Sequence, residues 1–161
     1  MGPESDIMGD MVNAGVNRLC LDLGFMTRAV MTLDKKVEPD YDGYHCDGRA
    51  LVFGSGWISS RHTSYPNLIP RSTAHSILHC ILGHHSPDND HLVDLAEDIV
   101  VGYILDSLDM PCIRTPERDD RMYTAEKIFG NAGSPTVKAI VEVLRDMSQW
   151  RITDCERMFT V

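Results

Sequence analysis

Apolar residues recur along the first fifth of the chain at spacings of three, four or multiples of them. Ile7, Met11, Leu19, Leu23, Met26, Val30 and Leu33 follow this rhythm, which predicts helix over residues 6–33. Gly24 marks the place where that helix is expected to break. The segment DKKVEPDYDGY, with Pro39 and Gly43, reads as a loop. In HCDGRALVFGSGWIS the Asp47-Gly48 pair is a turn signal between short runs, so a small hairpin is expected. SYPNLIPRS reads as a loop ending at Pro70, with Ser72 or Thr73 capping a helix over 72–83. Ala74, Ile77, Leu78 and Ile81 form that helix's apolar face, and Gly83 is its stop. A second helix is predicted over 90–108, with Leu92, Ala96, Ile99, Tyr103 and Ile104 toward a core. Asp94, Asp98, Gly102 and Asp106 form a row on its other side. A short helix at TAEKIFG and a last one, capped by Ser134 with Pro135 in its first turn, complete an α+β chain with a small antiparallel β element.

Composition narrows the classes. A chain of 161 residues with 43% apolar content suits one domain over 1–161 with a real core. Charges, glycine or histidine interrupt every apolar run well before a membrane span is reached. The acidic start MGPESDIMGD lacks the basic end and apolar run of a secretory signal, and Pro3 spoils a myristoylation site. The formal net charge of −9 disfavours a nucleic-acid partner. Cys20, Cys46, Cys80, Cys112 and Cys155 are spread, odd in number and free of C-x-x-C pairs, which suits a reducing cytoplasm.

Chemistry concentrates in one stretch. STAHSILHCILGHHSPDNDH holds five of the seven histidines, and His75, His79 and His85 read H-x3-H-x5-H. Imidazoles four residues apart project side by side from one helix and offer two ligands to a cation. His85 lies about 240° around the axis from His79 if the helix continues, so a break at Gly83 is needed to aim it. Asp98 competes with it as an oxygen ligand or as a carboxylate orienting a ligand imidazole. Gly102 would let its backbone approach closely. His84 is a substitute for His85 or plain surface; His45, His62 and His91 read as surface. Zinc, with three protein ligands and an open position, is the expected ion. Phe53 and Trp57 line a cleft or belong to the core.

The stretch AHSILHCILGHH resembles the H-E-x-x-H-x-x-x-G-H-H segment of the zincin-type metallopeptidase-like domain that precedes a von Willebrand factor A-like domain in many bacterial proteins. CDGRALVFGSGWI resembles that family's T-D-G-x-x-I-x-Y-N-P-x-F stretch. LAEDIVVGYILDSL resembles its A-x-D-x-x-V-N-x-x-L helix, and YTAEKIFGNA its S-A-E-E-I-Y segment. The likeness covers about residues 20 to 135, in order. It implies a zincin-like fold, a peptide substrate, and zinc on His75 and His79 with His85 or Asp98. Ser76 stands where the family carries its general-base glutamate, Gly102 replaces an asparagine, and no von Willebrand-like domain is expected among the 161 residues.

Ser76 decides the activity expected. A hydroxyl is no base near neutral pH, and losing a positioned base costs about 10²- to 10⁴-fold in rate. Glu97 and Asp94 are the candidate carboxylates to take over. The expectation is a zinc site with weak or absent peptidase activity. H-x3-H-x5-H without a glutamate is also similar to the metal-dependent endoribonucleases that mature bacterial ribosomal RNA. There the glycine lies one residue earlier and the motif near the C-terminus, whereas 76 residues follow His85 here. A third reading is a binding module with a structural metal, holding a peptide or partner protein by strand addition beside the metal helix.

Overall fold

The computed structural model describes residues 3–62, 64–84 and 90–160. The chain divides into two compact units. The first comprises Met1–Cys80 with Met110–Thr115, and the second Ile81–Asp109 with Pro116–Val161.

The first unit begins with α1 (Pro3–Asp22), a 3₁₀ turn (Gly24–Met26) and α2 (Thr27–Met31). The break falls at Leu23-Gly24, as the glycine predicts. Val12, Val16, Leu19, Leu23, Met26 and Val30 are buried, while Ile7 is exposed. Three strands come next: β1 (Asp34–Glu38), β2 (Tyr44–Cys46) and β3 (Ala50–Gly54). The expected hairpin is β2–β3, closed at Asp47, whose Oδ1 accepts from Arg49 N at 2.8 Å and Ala50 N at 2.7 Å. Those two donors hold the Asp47 carboxyl below its ordinary pKa.

The sheet is mixed rather than antiparallel. Asp34–Glu38, read from sequence as loop, pairs parallel with β3, giving the order β1-β3-β2. β3 is therefore paired on both sides, and an added strand could join only β1 or β2. Phe53 and Trp57 are buried, their ring centroids 5.9 Å apart and both packed near Tyr44, so they belong to the core rather than to a cleft. A helical turn α3 (Ser55–Trp57) and a π-helix (Ile58–His62) lead toward α4 (Leu68–Leu82).

Helix α4 starts four residues before the predicted 72. Pro70 lies in its first turn, where a missing N–H costs no helical bond. Ser72 and Thr73 are consequently inside the helix and not caps; Thr73 Oγ1 donates to Ile69 O at 2.8 Å. Residues 68–78 are all buried, including Arg71, whose Nη1 donates to Ile113 O at 3.0 Å. Ile81, expected on the apolar face, is exposed.

The second unit is helical: α5 (His91–Leu108), α6 (Arg118–Ala132), α7 (Val137–Arg145) and α8 (Gln149–Phe159). Asp90 caps α5, its Oδ1 accepting from Leu92 N at 3.0 Å. Thr136, rather than Ser134, caps α7, and α8 is a separate helix. Leu95, Ala96, Ile99, Ile128, Ile140 and Leu144 lead the core, each fully buried leucine or isoleucine side chain contributing about 1.5–3 kcal/mol. The Asp94-to-Asp106 row does not face away from that interior as a whole. Gly102 and Asp106 are buried, Asp98 is half-buried, and Asp94 is exposed.

Candidate metal-binding residues

His75 and His79 stand one turn apart on α4, and their rings meet. The two Nε2 atoms are 2.9 Å apart, with ring centroids 4.6 Å apart and planes at 42°. His75 is buried and His79 half-buried, which places the pair at the margin of the interior. Burial of a polar ring is costly unless its nitrogens find partners, and the two Nε2 atoms are each other's partner here. Two lone pairs aimed at one point can share a proton or a cation. Two nitrogens at about 2.0–2.1 Å from a tetrahedral zinc lie roughly 3.3 Å apart, so a small opening of the pair yields one edge of such a site.

The chain then turns. Gly83 adopts φ +69, a conformation that side-chain-bearing residues rarely hold, and it ends α4 at Leu82. His84 comes next and does not continue around the helix. In the second unit a ring nitrogen of His84 and a carboxylate oxygen of Glu97 lie within 4.8 Å of one another. Among the described residues, histidine, aspartate and glutamate side chains thus form groups able to hold a metal ion.

The remaining predicted residues fall in both units. Ser76 is buried on α4, next in the chain to His75. Asp98 is half-buried on α5, and its Oδ2 accepts from Thr160 Oγ1 at 3.2 Å. His85 lies outside the described residues. Gly102 serves a different contact from the one its sequence context suggested. A Cβ there would sit 2.8 Å from Phe159 Cδ1, so the glycine seats α8 against α5. His45 is exposed against Tyr41, and His91 is exposed with its Nε2 against a Glu156 carboxylate oxygen. His62 is half-buried in the π-helix, and desolvation pulls its pKa down.

Sequence reasoning gave His84 no role beyond substitute or surface. The signal was Gly83, which redirects the first residue after it as much as the second. Cys80, beside His79, also carries information. Burial pushes its thiol pKa up, and the Cys46 side chain adds to the shift. All five cysteines are free. No described helix is long and apolar enough to cross a membrane. No protein-family model, curated protein or solved structure matches the chain.

Proposed function

We propose that this chain is a zincin-like, zinc-binding domain of metallopeptidase type, with weak or no peptidase activity. The observation that carries the reading is the meeting of His75 and His79 through Nε2 at 2.9 Å on one helix. Zinc is the ion of choice because two imidazoles and a carboxylate are borderline and hard donors that suit it. Asp98, on the grounds of its place in the sequence, is the proposed oxygen ligand, with His85 the alternative nitrogen ligand. Bound zinc would supply an electrophile and a water acidified to a pKa of about 7.

The chain's own residues limit the chemistry. Ser76 occupies the position where a general base is needed, and its hydroxyl holds its proton at neutral pH. Glu97 is the carboxylate proposed to serve in its place. A peptide substrate would then meet a polarising centre with an ill-placed base, so turnover falls by the roughly 10²- to 10⁴-fold that a positioned base contributes. The acidic chain, at net −9, does not support a ribonuclease reading, because phosphate backbones are repelled.

The test begins with metal content. Purified protein equilibrated with zinc should retain one ion per chain, and His75→Ala and His79→Ala should each abolish retention. Retention unchanged in both variants would end the proposal. Asp98→Ala and a His85→Ala variant, measured separately, identify the third ligand by which one loses affinity. Casein hydrolysis should be absent or slow in the wild type and rise in Ser76→Glu. Ser76 is buried, so folding of that variant is checked first; the metal measurements stand without it.

A further inference from the structure

The second unit carries a groove between α6 and α8 that the metal reading leaves unused. Ile128 and Cys155 form a buried floor, and Met147 is half-buried beside them. Tyr123 and Trp150 stand on its walls, 60% and 70% exposed. Leaving two large aromatic side chains in water beside an apolar floor forgoes burial that a partner would supply. The cavity is about 250 Å³. That is below the roughly 300–1,000 Å³ of a small-molecule site, so it suits side chains of a longer ligand and not a whole cofactor.

Charge identifies the ligand. Lys127 Nζ lies 4.1 Å from the Tyr123 ring centroid, and Arg151 Cζ lies 5.7 Å from that of Trp150. Asp154, the acid on the lining, is engaged by Arg157 at 2.6 Å. The groove is thus locally basic on a chain of net charge −9. A nucleic-acid strand would bring a continuous run of phosphates against that overall charge. It would also find one face of each ring already covered by a cation. A short peptide brings only a few carboxylates, and places an apolar side chain where nucleic acid has none.

We propose that this groove docks an acidic peptide segment of a partner protein. An apolar side chain of the segment rests on Ile128 and Met147, and flanking carboxylates pair with Lys127 and Arg151. Tyrosine, tryptophan and arginine are the side chains that anchor protein interfaces, because they bury much area for few torsions.

The experiment pans a random dodecapeptide library on the 161-residue chain and on its Lys127→Ala/Arg151→Ala variant. All four rim side chains are solvent-facing, so these changes leave the fold intact, as far-UV circular dichroism verifies. The wild type should enrich sequences with an apolar residue between carboxylates; the variant should not. A selected peptide, added to purified protein, should shift the emission of Trp150, the exposed one of two tryptophans. The double variant should bind it at least about tenfold more weakly, and replacing its glutamates by glutamine should do the same. Enrichment of neutral or basic peptides, equal enrichment on both proteins, or no enrichment would overturn the proposal. So would tight binding of an oligouridylate that competes with the selected peptide, which would assign the groove to nucleic acid.

Discussion

Asp106 is 1% exposed, and its two carboxylate oxygens accept from Arg121 Nε at 2.7 Å and Nη2 at 3.0 Å. A bidentate pair inside a helical unit satisfies both charges, yet each residue alone would be a buried ion without its counterpart. Asp106→Ala or Arg121→Ala is therefore expected to cost about 3–5 kcal/mol, whereas Asp106→Leu with Arg121→Met should come within about 2 kcal/mol of wild type. Urea unfolding of the four proteins measures these differences, and equal losses in the single and double variants would refute the expectation. Cys112 poses a second test at this scale. Burial pushes its thiol up to about 11 from an ordinary 9.0, with Asp22 adding to the shift. The folded state then keeps its proton after the unfolded state has lost it. Stability from this group is constant below pH 9 and falls as pH rises from about 9 to about 11. Lysines and tyrosines titrate there too, so the measurement is a difference. The melting-temperature gap between wild type and Cys112→Ala should be flat up to pH 9 and shrink above it.

Helices α5 and α8 meet at Gly102, where an added Cβ would press on the Phe159 ring at 2.8 Å. Phe159 is fully buried and has little room to retreat. Gly102→Ala should destabilise by about 1–3 kcal/mol despite alanine's better helix propensity, and Phe159→Leu in the same chain should relieve part of the loss. A stabilising Gly102→Ala would show that α8 is not seated there. The same contact shows what the sequence conceals. A small residue on a predicted helix announces a close approach, but not the partner, because Phe159 lies 57 positions away in the chain. The Asp47-Gly48 turn, by contrast, was legible because turn chemistry acts within four residues. β1 was not legible. Asp34–Glu38 holds one apolar residue, Val37, and becomes a strand only by pairing with β3. The start of α4 was missed through Pro70, a breaker inside a helix that is harmless in its first turn.

At the scale of the whole chain the legible part was local periodicity, and the illegible part was which side chains meet. His75 and His79 were predicted to project together because four residues fix their spacing, whereas Asp98 and His85 depend on how the chain runs after Gly83. A ligand that ties such residues together must register in the thermodynamics of folding. Zinc bound only to the folded state stabilises it by RT ln(1 + [Zn]/Kd), about 2.7 kcal/mol at a hundredfold excess over Kd. At roughly 2–4 °C per kcal/mol for a chain of this size, the melting temperature should rise by about 5–11 °C. Two compact units can melt separately, so each transition is followed on its own. Five free cysteines will bind some zinc in the unfolded chain and lower the shift. His79→Ala keeps all five, so its own response to zinc measures that term and the wild-type excess measures the site. Calorimetry with and without zinc, then with a chelator added, should show the excess appear and vanish. Equal shifts in wild type and His79→Ala would mean that zinc meets only the thiols, and the paired imidazoles share nothing but a proton.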